Sequence, residues 1–279
     1  MISDKNGVHT AGETAQEEKK DMEYPNIFGV LEKKFQDAFI EELIPGIVHN
    51  FANPLNGIMG RSKLLQRKLM EIVKNRDTGR DVSSPEDNKK LINDVESIAR
   101  EADRLSAMLQ HVTGKFCTLS DKAVQKINVS DLIEREMKFF DFYLEFKHSV
   151  KKTMYLEREV PVVKGIPAEY SLALSTLMLH AMGTAKEGTI KEFNISTQFE
   201  NGQVCIKIQN RGVPLSNDQM KHLFEKSYAD TSSFKTRDDV ESWCAFALLR
   251  KWGARFEIES DSQWNTIAVI IPPYEENTV

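Results

Sequence analysis

The residues whose types and spacing could do chemistry lie together in the stretch GIVHNFANPLNGIMG, residues 46–60. On a helix, Asn53 and Asn56 follow His49 by four and seven residues and so share its face, with Ala52 and Gly60 beside them. One imidazole, two carboxamides and two small residues make a polar stripe with little bulk, open to a second protein that brings its reactive group to His49. A neutral imidazole nitrogen is nucleophilic without the help of a triad. Phosphoryl transfer mainly demands in-line positioning and charge stabilisation, which a docked partner carrying Mg²⁺ supplies. The competing reading is an ordinary surface histidine on a coiled coil, and the company His49 keeps argues against it. Pro54 has no N–H and its ring collides with the carbonyl of Asn50, which predicts a helix bend about one turn after His49. Pro45-Gly46 predicts a second break upstream, leaving His49 on a short segment between two flexible points.

Two amphipathic helices must position that stripe. Apolar residues recur at Ile44, Val48, Phe51, Leu55, Ile58, Leu65, Leu69 and Ile72, then again at Leu91, Val95, Ile98, Ala102, Leu105, Leu109 and Val112. The alternating three and four spacing marks heptad helices. RDTGRDVSSPED between them carries Gly, Pro and Ser and turns the chain back, giving an antiparallel hairpin. One hairpin leaves a narrow seam uncovered, and a second copy completes it as a four-helix bundle, so a homodimer is expected. The alternative is that the seam packs against the rest of the same chain.

Beyond Phe116 the pattern becomes α+β. KINV leads into a helix from about Ser130, and another helix begins near Pro167. FNISTQF and VCIKIQ alternate apolar and polar residues around Asn201-Gly202, a favoured tight-turn pair, and form an antiparallel hairpin. FEIES pairs with NTIAVII near the C-terminus, after an apolar helix from Val240 to Trp252. Residues 1–24 are polar and charged, with too few large aliphatics to offset ordering entropy, and read as a disordered tail before a short lead-in helix. The expected organisation is a tail at 1–24, a dimerising helical hairpin at 25–116 and an α/β-sandwich domain at 117–279.

Composition narrows the function classes. A formal charge of −5 argues against a dedicated nucleic-acid binder, which concentrates Lys and Arg to neutralise phosphates. Cys117, Cys205 and Cys244 are odd in number, far apart and free of CxxC spacing, which fits buried thiols in a reducing cytoplasm rather than disulfides or a metal site. No apolar run approaches the ~20 residues that span a bilayer, so neither a membrane nor a signal peptide is expected.

HNFANPLN on the first of two heptad helices resembles the H-box of sensor histidine kinases, where the phosphoacceptor His precedes an acidic residue or Asn and then a Pro-Leu pair. The likeness continues through INVSDLIEREMKFF, PVVKGIPAEYSLALSTLMLHAM and IKIQNRGVPLSNDQMKHLFEKSY, in the order of a kinase's ATP-binding domain, and spans about residues 30–273. The resemblance implies a dimeric helical hairpin followed by a sandwich domain of the histidine kinase ATPase type. It makes His49 the phosphoacceptor, gives Asn50 the position that helps take its proton, and sets Asn53 where some relatives orient a hydrolytic water.

The departures from the family lie in its nucleotide boxes. The Asn that binds Mg²⁺ is matched by His180, although hard Mg²⁺ prefers oxygen. The Asp-x-Gly-x-Gly box, whose carboxylate reads adenine, is matched by Asn210, Gly212 and Pro214. No glycine occurs between Gly212 and Gly253, so the turn that brings backbone amides to the phosphates is missing. Trp243, Phe246 and Trp252 are expected to bring bulk to the nucleotide approach, and Leu223-Phe224-Glu225 resembles the family's F-box. Three functions follow as expectations. The first is a histidine phosphotransferase that exchanges phosphate with response-regulator receiver domains, with no cofactor of its own and Mg²⁺ supplied by the receiver. The second is an ATP–Mg²⁺-dependent histidine kinase with divergent boxes. The third is a docking module for a kinase or regulator that carries no phosphate.

Overall fold

The computed structural model describes residues 26–78, 84–187, 190–212, 237–261 and 263–275. The expected tail at 1–24 and the centre of the hairpin turn, residues 79–83, lie outside them. Helix α1 (Ile27–Ala38) starts at Asn26, whose side chain accepts from the Gly29 amide, and runs through a π-helical turn (Phe39–Leu43) into α2 (Ile44–Asp77). Helix α3 (Pro85–Ser120) returns antiparallel to α2. Its N-terminus is set by Ser84, which accepts from the Asp87 amide, and by Pro85 in the first turn, where a missing N–H costs nothing. The helical hairpin is therefore as the heptads require. Its second helix runs four residues past the expected boundary at Phe116.

The upstream features differ from expectation in a way that matters for His49. Pro45-Gly46 does not break the chain, which stays helical from Ile27 to Asp77. The wider π turn immediately before Pro45 accommodates its ring and missing N–H. Gly46 is buried, and any side chain there would collide with the carbonyl oxygen of Phe142, so this glycine allows a close approach between two segments rather than a hinge. Pro54 is likewise buried, inside an unbroken α2.

After the hairpin come β1 (Gln125–Ile127), α4 (Val129–Phe140), α5 (Leu144–Ser149), β2 (Lys151–Leu156), β3 (Val163–Gly165), α6 (Pro167–Glu187), β4 (Glu192–Glu200), β5 (Gln203–Arg211), α7 (Arg237–Arg250), β6 (Arg255–Ser260) and β7 (Asn265–Ile271). Strands β1 and β3 form a small antiparallel pair, and the main sheet has the order β2-β4-β5-β7-β6, with only β2–β4 parallel. Asn201 and Gly202 both have positive φ, as a tight hairpin turn matched to strand twist requires, and they close β4 onto β5 with Glu200 opposite Gln203. Asn128 caps α4 by accepting from the Ser130 and Asp131 amides. Phe193 and Ile195 of β4, Ile206 and Ile208 of β5, and Val269 of β7 form a core with Leu174, Leu177 and Met178 of α6 and Phe246 and Leu249 of α7. This is an α/β sandwich, and the fold is α+β.

Hairpin and sandwich share that core. Leu31 of α1 and Leu43 of the π turn are fully buried, and Phe35, Phe39, Phe51, Met108 and Val112 pack against the same cluster. The segment expected to belong with the hairpin from residue 25 thus lies on the sandwich, where α1 packs against α6 and α7 and Lys34 pairs with Glu241. Lys115 of α3 is the polar centre of this junction. Its ammonium donates to Glu136 Oε2 at 2.6 Å and to Ser171 and Ser175 Oγ at 2.8 Å, while both serines donate back to the same carboxylate. Phe35 and Phe139 face the ammonium at 5.3 and 5.6 Å. Burial pushes Lys115 below the ordinary lysine pKa, and the Glu136 carboxylate opposes that shift.

Candidate functional site

Along α2 the sequence sorts into three faces. Gly46, Asn50 and Pro54, spaced by four, are buried. The seam residues Val48 and Leu55 are 61% and 43% exposed, and Leu69, Val95 and Leu109 are exposed in the same way farther along the hairpin. Among the described residues, the seam meets the shared core at its near end, through Phe51 and Val112. The third face carries His49, Asn53, Asn56 and Gly60, all exposed, with Ala52 half-buried at its edge. Among the described residues, no neighbour outside the local helix backbone lies within 4 Å of where a Cβ on Gly60 would sit, so the face is open at that end. The structure brings together the residues that the helical spacing placed on one face, and it leaves the His49 imidazole accessible.

Asn50 does not join them. At about 100° per residue it points away from the His49 face, and it is 4% exposed against the corner between α4 and α5. Its Oδ1 accepts from Lys147 Nζ at 2.7 Å and its Nδ2 donates to the Asp141 carbonyl at 3.2 Å. An ammonium can only donate and a carbonyl can only accept, so these partners fix the orientation of the carboxamide. The Phe51 and Phe142 rings meet edge-on at 6.3 Å on the same side.

The residues at the family's nucleotide positions also converge, but as packing. Thr184 of α6 donates its hydroxyl to the His180 carbonyl at 3.0 Å, and its own carbonyl lies where any side chain on Gly212 would have to go. Gly212 thus has a steric role that needs no nucleotide. Asn210, 3% exposed at the end of β5, has an Nδ2 with no hydrogen-bond partner among the described residues. A carboxamide here offers a mixed donor and acceptor where the resemblance implies a carboxylate acceptor, and His180 is half-buried on α6. Asn210 and His180 thus differ in donor chemistry from the carboxylate and Mg²⁺-binding Asn that the resemblance implies. Pro214 and Leu223-Phe224-Glu225 lie outside the described residues.

The aromatics expected near the nucleotide approach make the following contacts among the described residues. Phe246 faces the sheet, meeting Phe256 at 4.7 Å between ring centres, and Trp252 donates its indole N–H to Glu169 at 2.6 Å. Trp243 is buried on α7. The cysteine expectation holds for Cys205 and Cys244, which are buried, whereas Cys117 is exposed on α3. Burial raises both buried thiols, Cys244 to about 11. The roles of Lys115, Glu136 and Lys147 were missed by sequence reasoning. The one available signal was Glu136 within the otherwise apolar face of IEREMKFF. Among the described residues no helix is long and apolar enough to cross a membrane.

No model of a known protein family matches the chain, and no curated protein matches it. Among solved structures it is similar to the Acinetobacter baumannii histidine kinase AdeS, at 13% identity and TM-score 0.40 over 77% of this chain and 96% of that one. It is also similar to the catalytic domain of histidine kinase ThkA, at 17% identity and TM-score 0.44 over 55% and 99%. A third is a bacterial phosphotransferase, at 14% identity and TM-score 0.40 over 87% and 95%. At these identities the likeness is one of architecture alone.

Proposed function

We propose that this chain is a two-component phosphorelay protein that exchanges a phosphoryl group between His49 and the aspartate of a response-regulator receiver domain, and that it no longer binds ATP. The observation that carries the reading is the stripe on α2, where an exposed His49 shares one helix face with exposed Asn53, Asn56 and Gly60 and half-buried Ala52. A ring nitrogen of His49 attacks the phosphorus of an aspartyl phosphate in line with the carboxylate. The N–P bond forms as the P–O bond breaks, the carboxylate leaves as an anion, and the remaining ring proton passes to water. The receiver brings the Mg²⁺ that neutralises the phosphoryl oxygens, and Asn53 and Asn56 offer amide donors beside the reacting nitrogen. Loss of ATP binding is supported by Asn210 in place of a carboxylate, by the packing role of Gly212, and by the glycine-free run that follows it. The exposed seam residues Val48, Leu55, Leu69, Val95 and Leu109 support a second copy as partner, completing a four-helix bundle in the cytoplasm.

Purified chain mixed with receiver domains carrying radiolabelled aspartyl phosphate is expected to take up label that is stable in base and lost in acid. Failure of every cognate receiver to transfer label, or labelling that survives His49→Ala, contradicts the proposal.

A further inference from the structure

Three contacts hold the turn of α2 that carries His49 against the corner between α4 and α5. Gly46 lies on the Phe142 carbonyl, Phe51 meets the Phe142 ring, and Asn50 bridges Lys147 and the Asp141 carbonyl. Gly46 and Phe51 are apolar or featureless and pack by shape. Asn50 is the polar member, adjacent in sequence to the phosphoacceptor and fully committed: the two strongest hydrogen-bonding atoms of its side chain are both used, and at 4% exposure it cannot turn toward the imidazole without leaving the Lys147 ammonium and the Asp141 carbonyl unmet. The identity of the residue follows from its partners. Aspartate would suit Lys147 but would set a second acceptor against the Asp141 carbonyl, and only a carboxamide satisfies both.

We propose that Asn50 and Lys147 form a single clamp that fixes the rotation of the α2 turn bearing His49 relative to the α4–α5 corner, and that both are positioning residues for phosphoryl transfer rather than proton carriers. This rests on the phosphorelay reading for its functional half and on geometry alone for its structural half. In-line transfer is sensitive to displacements of an ångström or less at the reacting atom. A helix held at residues 46, 50 and 51 presents residue 49 at one azimuth, so a docked receiver meets the imidazole at a fixed angle to the sandwich. Lys147 thereby acts on the reaction without touching it.

The experiment compares the full-length chain with Asn50→Ala, Lys147→Met, the double variant and Lys147→Arg. In single-turnover transfer from saturating phosphorylated receiver, each of the first two is expected to be slowed tenfold or more. The double variant should be no slower than the slower single, Lys147→Arg should recover most of the rate, and the midpoint of the pH–rate profile should not move. An Asn50→Ala profile that shifts in pH while Lys147→Met does not would return Asn50 to proton handling and overturn the clamp, as would full additivity of the two losses. Amide exchange is measured on the same proteins without any receiver. Both single variants are expected to speed exchange across residues 142–149 by a similar factor, and unchanged exchange overturns the clamp whatever the phosphoryl transfer shows. A wild type that takes no label while exchange responds as expected refutes the phosphorelay reading and leaves the clamp standing.

Discussion

Removing the Lys115 ammonium tests whether the hairpin and sandwich are locked by a buried ion pair. Lys115 and Glu136 are 5% and 2% exposed, so neither charge is screened by solvent. In Lys115→Met the flexible thioether follows the course of the lysine stem past Phe35 and Phe139, so packing is largely kept and the loss is electrostatic. Among the described residues, Glu136 then retains the Ser171 and Ser175 hydroxyls as donors. Breaking a buried pair by removing one partner costs about 3–5 kcal/mol, and the two remaining donors place this case near the lower end, about 3 kcal/mol. At roughly 2–4 °C per kcal/mol for a chain of this size, the melting temperature falls by about 6–12 °C. Lys115→Met combined with Glu136→Leu removes both desolvated charges, and the serines can turn to their own helix carbonyls as Thr176 does with Leu172. That double variant is expected within about 1 kcal/mol of wild type, because apolar replacement of a buried pair is often neutral or stabilising. Calorimetry and urea denaturation read both numbers. A single variant that loses less than about 1 kcal/mol, or a double variant as unstable as the single, refutes this account of the buried pair.

The glycines and one histidine supply further tests. Gly46→Ala forces a methyl onto the Phe142 carbonyl and is expected to destabilise by about 1–3 kcal/mol in thermal melts. Gly60→Ala meets no neighbour within 4 Å and is expected to stabilise α2 by about 0.5–1 kcal/mol while slowing transfer from the receiver, a separation of stability from rate that marks a docking face. Gly212→Ala collides with the Thr184 carbonyl and is expected to lower stability in the complete absence of nucleotide, measured by urea unfolding. Burial, and then Lys138, hold His111 below the ordinary imidazole pKa of 6.5, with Asp141 opposing. Below 6.5 the unfolded chain therefore binds more protons than the folded one, so this contribution to stability is present above 6.5 and lost as pH falls through the folded pKa. His111→Gln is expected to flatten the fall in melting temperature between pH 7 and pH 5.

The elements were legible where their cause is local. Asn201-Gly202 can adopt the positive φ that a tight turn needs, and the heptads of residues 44–72 and 91–112 can form only an amphipathic hairpin. The stripe at His49 followed from the same periodicity. What the sequence concealed is held by partners far apart in the chain. Lys115 finds Glu136 across 21 residues and Asn50 finds Lys147 across 97, and a lysine beside an apolar seam has the same local pattern as one on a solvated face. Pro45-Gly46 was misread for a related reason. The pair has the composition of a break, but the π turn before it and the Phe142 carbonyl beside it convert it into a close contact.

Phosphate on His49 supplied by another protein, and not by ATP, is tested most directly by offering both donors to the same preparation and mapping the modified residue by mass spectrometry under conditions that preserve phosphohistidine. The expected result is phosphate on His49 after incubation with a phosphorylated receiver domain and none after incubation with MgATP alone. Phosphate appearing on His49 from MgATP, or no phosphate on His49 from any cognate receiver, contradicts it.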